Sequence, residues 1–275
     1  MKAQKAITPI KSKLLLLDLF PNAQLAFSVR KLNSAYTGSA IRVRRSSDNT
    51  EQDIGFAGST LDETALINFV GSNNGFVTTW YDQSGNGNHA VQTTAAAQPK
   101  IVSSGVVEKV NNKPALYFDG TNDLFSLTTG ISTITLIHSH FTVYKLDNVT
   151  NSLVVSLGET TGNGYNIPAY DGNIYQIIGP AVSTTWTANA SQNLLSTILT
   201  GNTISDLDSW QNGSALANYT GSNPTIVSVN QIGSTQPIFL NYSYGYHQEI
   251  VLYFIDQTAD RTKIETNINS YYAIY

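Results

Sequence analysis

Along most of this chain apolar and polar residues alternate with a period of two, in short runs closed by Gly, Asn, Asp, Ser or Thr. That period places successive side chains on opposite faces, so the chain reads as a series of half-buried strands. It predicts strands over 40–45, 100–102, 115–118, 141–146, 153–157, 164–170, 174–178, 194–200, 205–211, 224–232 and 247–255. The pairs Asp119-Gly120, Asp171-Gly172 and Asn212-Gly213 supply tight turns between them. Two segments keep a helical period instead. Over 59–70, Ser59 or Thr60 is the cap, Asp62 and Glu63 sit in the first turn, and Gly71 ends the helix. Leu61, Ala65, Leu66 and Phe69 then form one stripe. The second helix covers 260–271, with Ile264 and Ile268 on one side. Residues 48–53 read as a polar connection.

The stretch Trp80 to Gln92, WYDQSGNGNHAVQ, is the most marked departure from alternation. Gly85 and Gly87 allow positive φ, while Asp82, Ser84, Asn86 and Asn88 can bond back to nearby amides. It is expected to be a rigid structural corner between two strands. The alternation of Asp82, Ser84 and Asn86 resembles part of a calcium loop, but no glutamate stands at the twelfth position, and a self-satisfied turn is the favoured reading.

Two regions follow from this pattern: an N-terminal arm or anchor over 1–22, and one all-β domain over 23–275. The arm holds Leu14 to Leu17, Leu19 and Phe20 between Pro9 and Pro21. It serves either as a first element packed on the domain's own sheet or as an anchor in a neighbouring subunit, and docking on another chain is the reading adopted. Asp18 interrupts the apolar run, which is too short to span a bilayer and has no cleavage site for a leader. Cysteine is absent, so no disulfide holds the fold, and folding in a reducing cytoplasm is expected. A net charge of −4 gives no reason for nucleic-acid binding. Arg42 and Arg44 share a strand face, where carboxylate pairing or solvation accounts for them.

Candidate chemistry is sparse. His138 and His140 have a spacing that can bind zinc, yet no third ligand is near in sequence, so two histidines on a polar strand face are the favoured reading and no metal or cofactor is expected. Tyrosine occurs 15 times, and Tyr242, Tyr244 and Tyr246 fall in or beside loop-like segments. A sugar-stacking set of Tyr165, Tyr170, Trp186, Trp210 and Asn212 is the candidate glycan-binding group, with core or rim packing as the alternative for each.

The corner WYDQSGNGNH, with SAYTGSAIRVRRSSDNTEQDIGF upstream (Ser34 to Phe56), resembles the catalytic jelly roll of the arabinofuranosidase B family. FDGTND and the ending EIVLYFIDQT…IETNINSYY resemble a laminin-G or concanavalin-like module of bacteriophage virion proteins, in which Trp210 to Gly213 would be an exposed hairpin tip. Both imply an all-β, concanavalin-like jelly-roll sandwich of two antiparallel sheets with one or two short helices. They differ on function. The hydrolase family implies an aspartate acid after an isoleucine-glycine-glycine turn, where Gln231 to Thr235 carries Ser234 and Thr235 instead. It also implies a glutamate nucleophile on a middle strand, where only Asp171, or the earlier Glu159, is available, and a cysteine pair with no counterpart. The reading drawn is a non-enzymatic bacteriophage virion structural protein on a tail, fibre or capsid surface, made in the host cytoplasm. Its lectin-like domain would bind a cell-surface glycan or adhere to a host. Its arm would join other virion subunits in a homo-oligomer, with no nucleic-acid partner and no membrane span. An arabinofuranosidase-like glycoside hydrolase and a purely architectural virion subunit are the alternatives.

Overall fold

The computed structural model describes residues 14–131, 137–157, 165–170, 173–178, 181–216, 229–234 and 242–275, with most of the strands between 154 and 185 described through their backbone. Among the described residues, fifteen strands join in one antiparallel sheet. Its path runs through Gln192–Leu199, His138–Leu146, Tyr244–Tyr253, Leu116–Asp119, Lys100–Ser103 and Gly75–Trp80, then on to Ala90–Val91, Phe125–Ile131 and Val229–Ile232. The ladder curls over, so residues from its two halves meet in one core. Tyr144, Leu195, Ile250 and Leu252 come from one half, and Val77, Trp80, Phe118 and Phe125 from the other. The fold is an all-β sandwich. A separate four-stranded meander comprises Asn151–Leu157, Tyr165–Tyr170, Asn173–Ile178 and Ala181–Thr187.

A second cluster covers the opposite face of the central strands. Phe141, Val143, Val251 and Tyr253 pack there against Leu16, Leu17 and Phe20 and against Ile264, Ile268 and Tyr272 of the C-terminal helix Arg261–Tyr272. This explains why His138–Leu146 is almost wholly buried rather than alternating. It also shows what the described part of the arm does. Leu16 is fully buried in its own chain, and Asp18 meets the polar edge by accepting from the amides of Ser34 (2.9 Å) and Leu15 (3.1 Å). Residues 1–13 lie outside the described residues.

Three local expectations are corrected. The first helix is Glu63–Val70, not 59–70, because the Asp62 carboxylate accepts from Ala65 N at 2.9 Å and is the better cap. Gly58, at φ +65°, instead turns Phe56–Ala57 back on Thr60–Leu61. Residues 51–54 form an edge strand paired with Ile41–Arg45, although Glu51, Gln52 and Asp53 show no apolar alternation. Arg42 reaches across to Glu51 (2.7 Å) and Asp53 (3.2 Å). His138 and His140 are buried in the strand rather than on a polar face, and burial, then His138, pushes His140 down to about 3. Among the described residues no group of three His, Cys, Asp or Glu could hold a metal ion.

The Trp80–Gln92 connection joins two neighbouring strands, Thr79 pairing with Val91 and Trp80 with Ala90. Gly85 and Gly87 have φ of +94° and +75°. At its centre the buried Asp82 carboxylate accepts from Ala26 N (3.0 Å), Ser84 N (3.0 Å), Ser84 Oγ (2.7 Å) and Asn88 N (3.2 Å). Removing it would strand several buried donors at about 1–3 kcal/mol each. Asp82→Ala is therefore expected to lower the urea midpoint steeply or abolish soluble expression. Gly87→Val, strained by φ alone, is expected to cost only about 1–2 kcal/mol. Equal midpoints for Asp82→Ala and the unaltered protein would show that the carboxylate does not hold this connection.

Candidate active site

The acid position implied by the sequence falls at the end of Val229–Ile232. That strand pairs with Phe125–Ile131, with Phe125 opposite Ile232, so Gly233 and Ser234 emerge beside Asp123 and Leu124. Gly233 has φ +92°, and a Cβ there would lie 2.7 Å from the Phe118 ring and 3.3 Å from Asp123 O. Ser234 is fully buried and bridges to Tyr242. Thr235, Glu159 and Asp171 lie outside the described residues.

What the sequence reading missed at this strand end is Asp123. Its carboxylate accepts from Asp119 N at 2.9 Å and closes the loop after Leu116–Asp119. Burial, reinforced by the neighbouring charge of Asp119, pushes its carboxyl up to about 7 against the pull of the Asp119 amide and Lys100. Asp119 is exposed, and its Oδ1 accepts from Thr121 N (2.8 Å) and Asn122 N (3.4 Å). Two carboxyl groups four residues apart thus occupy opposite environments, one dry and proton-holding, one wet. The available signal was the second aspartate of FDGTND, which looks from sequence like ordinary turn chemistry. Around the loop, Gly120 N donates to Ser243 O (3.0 Å), and buried His247 lies 3.2 Å from Ser243 Oγ and edge-on to Phe118.

The candidate glycan-binding residues do not converge. Tyr165 and Tyr170 stand at the two ends of one strand of the meander. Trp186 Nε1 donates to Gln211 Oε1 at 2.7 Å, while the Trp210 ring lies under the Arg261 guanidinium at 4.2 Å. Trp210 and Gln211 are successive residues of Leu207–Gln211 and face opposite ways, so the Trp186 indole, bonded to Gln211, and the Trp210 indole sit on opposite sides of that strand. Asn212 fixes the hairpin, with φ +53° and Oδ1 accepting from Leu194 N at 2.9 Å.

Comparison with known proteins bears on this region. The family model described as alpha-L-arabinofuranosidase B, catalytic, matches residues 22–118, about a third of the chain. A probable alpha-L-arabinofuranosidase B of Aspergillus flavus and an alpha-L-arabinofuranosidase B of Aspergillus oryzae are each 40% identical over 67 residues. Those matches cover 24% of this chain and 13% of each relative. Among solved structures, an arabinofuranosidase complexed with arabinofuranosyl-α-1,2-xylobiose aligns at TM-score 0.66 and 17% identity, over 90% of this chain and 62% of that one. Another, soaked with a cyclic sulfate inhibitor, aligns at 0.62 and 16% identity with the same coverage. These likenesses share the fold. The expectations of a non-enzymatic protein, of a bacteriophage structural role and of a virion location are overturned, because the matched model is a catalytic domain and the curated relatives are named as enzymes.

The raised Asp123 carboxyl makes stability depend on pH. Its folded form retains a proton that the unfolded chain, with an ordinary carboxyl near 3.8, has released. This contribution is complete below about 3.8 and is lost as pH rises toward about 7. The Tm of the protein is expected to fall over that window relative to Asp123→Asn, which keeps an acceptor for the Asp119 amide. Parallel Tm curves from pH 4 to 7 would refute the raised carboxyl.

Proposed function

We propose that this chain is a glycoside hydrolase acting on α-L-arabinofuranosyl linkages. The observation that carries the reading is the match of residues 22–118 to an arabinofuranosidase catalytic domain. Its weakness from sequence was the missing acid, and Asp123 answers that weakness. A glycosidase needs one carboxyl that stays protonated to deliver a proton to the departing oxygen, and a second carboxylate to attack or to activate water. Asp123 holds its proton near neutrality beside Gly233 and Ser234, where the family pattern puts the acid. In this reading the second carboxylate comes from Glu159 or Asp171.

The test is turnover of 4-nitrophenyl α-L-arabinofuranoside and of an alkyl arabinofuranoside. Asp123→Asn is expected to slow the alkyl substrate about 100-fold or more. The nitrophenyl substrate should suffer less, because nitrophenolate departs without being protonated. For the unaltered protein, turnover should decline as pH rises through about 7, where Asp123 loses its proton. Equal losses on both substrates would reduce Asp123 to a loop-closing residue, and no turnover of either by the unaltered protein would overturn the reading itself.

A further inference from the structure

Beneath the Asp119–Asp123 loop lies a histidine that core packing alone does not explain. His247 is 2% exposed, stands opposite Leu116 and Tyr144 on the strands to either side, and meets the Phe118 ring edge-on at 4.9 Å. Burial pushes its ring down to about 4, so the ring is neutral at ordinary pH. Its Nδ1 is buried and has no hydrogen-bond partner among the described residues. An unpaired buried polar atom destabilises a fold, and a leucine of similar volume would carry none.

What the ring supplies in return is one hydrogen bond, because its Nε2 lies 3.2 Å from Ser243 Oγ. A straight strand would set residues 243 and 247 about 13 Å apart. The backbone turns between them at Gly245, with φ +139°, and any Cβ there would collide with Lys145 O. Ser243 in turn joins both segments that flank Asp123. Its amide donates to Gly233 O at 2.9 Å, and its carbonyl accepts from Gly120 N at 3.0 Å. Gly233 lies against the Phe118 ring and Asp123 O, and Asp119 N, next to Gly120, donates to the Asp123 carboxylate. Two routes therefore lead from His247 to the loop. One passes through the hydrogen bonds of Ser243, the other through the Phe118 ring, and both end at Asp123.

We propose that His247 is a positioning residue, which through Ser243 and Phe118 fixes the Asp119–Asp123 loop against the Gly233 strand end and so holds the Asp123 carboxyl in place. The inference rests on the hydrolase reading for its catalytic sense. The role assigns the ring proton to Nε2, which donates to Ser243 Oγ. Nδ1 is then a bare acceptor, which is less costly to leave unpaired than a buried N–H.

The test compares His247→Leu, His247→Gln and Ser243→Ala by amide hydrogen exchange, urea unfolding and turnover. His247→Leu is expected to keep the urea midpoint, while the amides of Asp119, Gly120 and Ser243 exchange about tenfold faster or more. Ser243→Ala leaves the ring in place and should loosen the same amides. His247→Gln can still donate to Ser243 Oγ and should restore their protection. In turnover, His247→Leu should lower kcat for the alkyl arabinofuranoside about tenfold with KM unchanged, and should slow the nitrophenyl substrate less. In an Asp123→Asn background the same change should cost nothing further, because the group it positions is gone. Unchanged exchange at these amides would overturn the proposal. So would faster exchange throughout the sheet with a lowered midpoint, or an equal loss of turnover with and without the Asp123 carboxyl. Loosened amides in a protein that turns over neither substrate would sink the hydrolase reading and leave the positioning role standing.

Discussion

The architecture depends on one buried carboxylate. Asp82 has no solvent to satisfy it, so its oxygens must be met by donors that the fold brings to them. Two of those donors fix the polar turn, and the Ala26 amide ties that turn to the first strand of the sheet. Gln83 adds to this by accepting from Leu32 N at 2.8 Å and donating to the carbonyls of Ser28 and Arg30. The segment from 26 to 32 is therefore held in one register before any longer-range packing is counted.

That register has a consequence on the far side of the sheet. Ser28 is paired with Glu249, which places Arg30 for a two-pronged ion pair, Nε to Oε2 at 2.7 Å and Nη2 to Oε1 at 2.8 Å. The same guanidinium donates to Asn267 at 2.9 Å, and the Tyr272 hydroxyl lies 3.2 Å from the Glu249 carboxylate. The C-terminal helix is thus oriented by a charge pair that cannot be left half-made, since an unpaired buried charge costs about 3–5 kcal/mol. The helix in turn closes the second core over Phe141, Val251 and Leu16. Corner, ion pair and terminal helix form one line of dependence.

The likeness to arabinofuranosidases follows the same division. Sequence identity is concentrated in a short part of the chain, whereas likeness of fold extends over 90% of it at 17% identity. A sandwich tolerates exchange of apolar residues of the right size, while a turn whose carboxylate serves several donors does not. A shared scaffold leaves the chemistry free to be carried by a different residue of the same strand end. The strand end at Ser234 carries no carboxyl of its own, while Asp123 lies on the neighbouring strand connection.

Much of the fold was legible because its signals are local. Alternation marked most strands, and Asn212-Gly213 marked a hairpin whose two residues have φ of +53° and +76°. The polar strand Glu51–Ile54 was illegible, because an edge strand borrows its pairing from a neighbour and needs no apolar face of its own. The environment of Asp123 could not be read from FDGTND, since burial and the nearness of Asp119, not residue type, raise its carboxyl. The alignment of Lys100, Tyr117, Tyr246, Lys145 and Gln192 across five neighbouring strands was hidden for a related reason: these residues are scattered along the chain, and only strand order sets them side by side. The sequence by itself determined where the chain turns and which residues leave water. Tertiary structure decided which distant residues share a face or a dry pocket, because those relations depend on strand pairing across the sheet and not on separation along the chain.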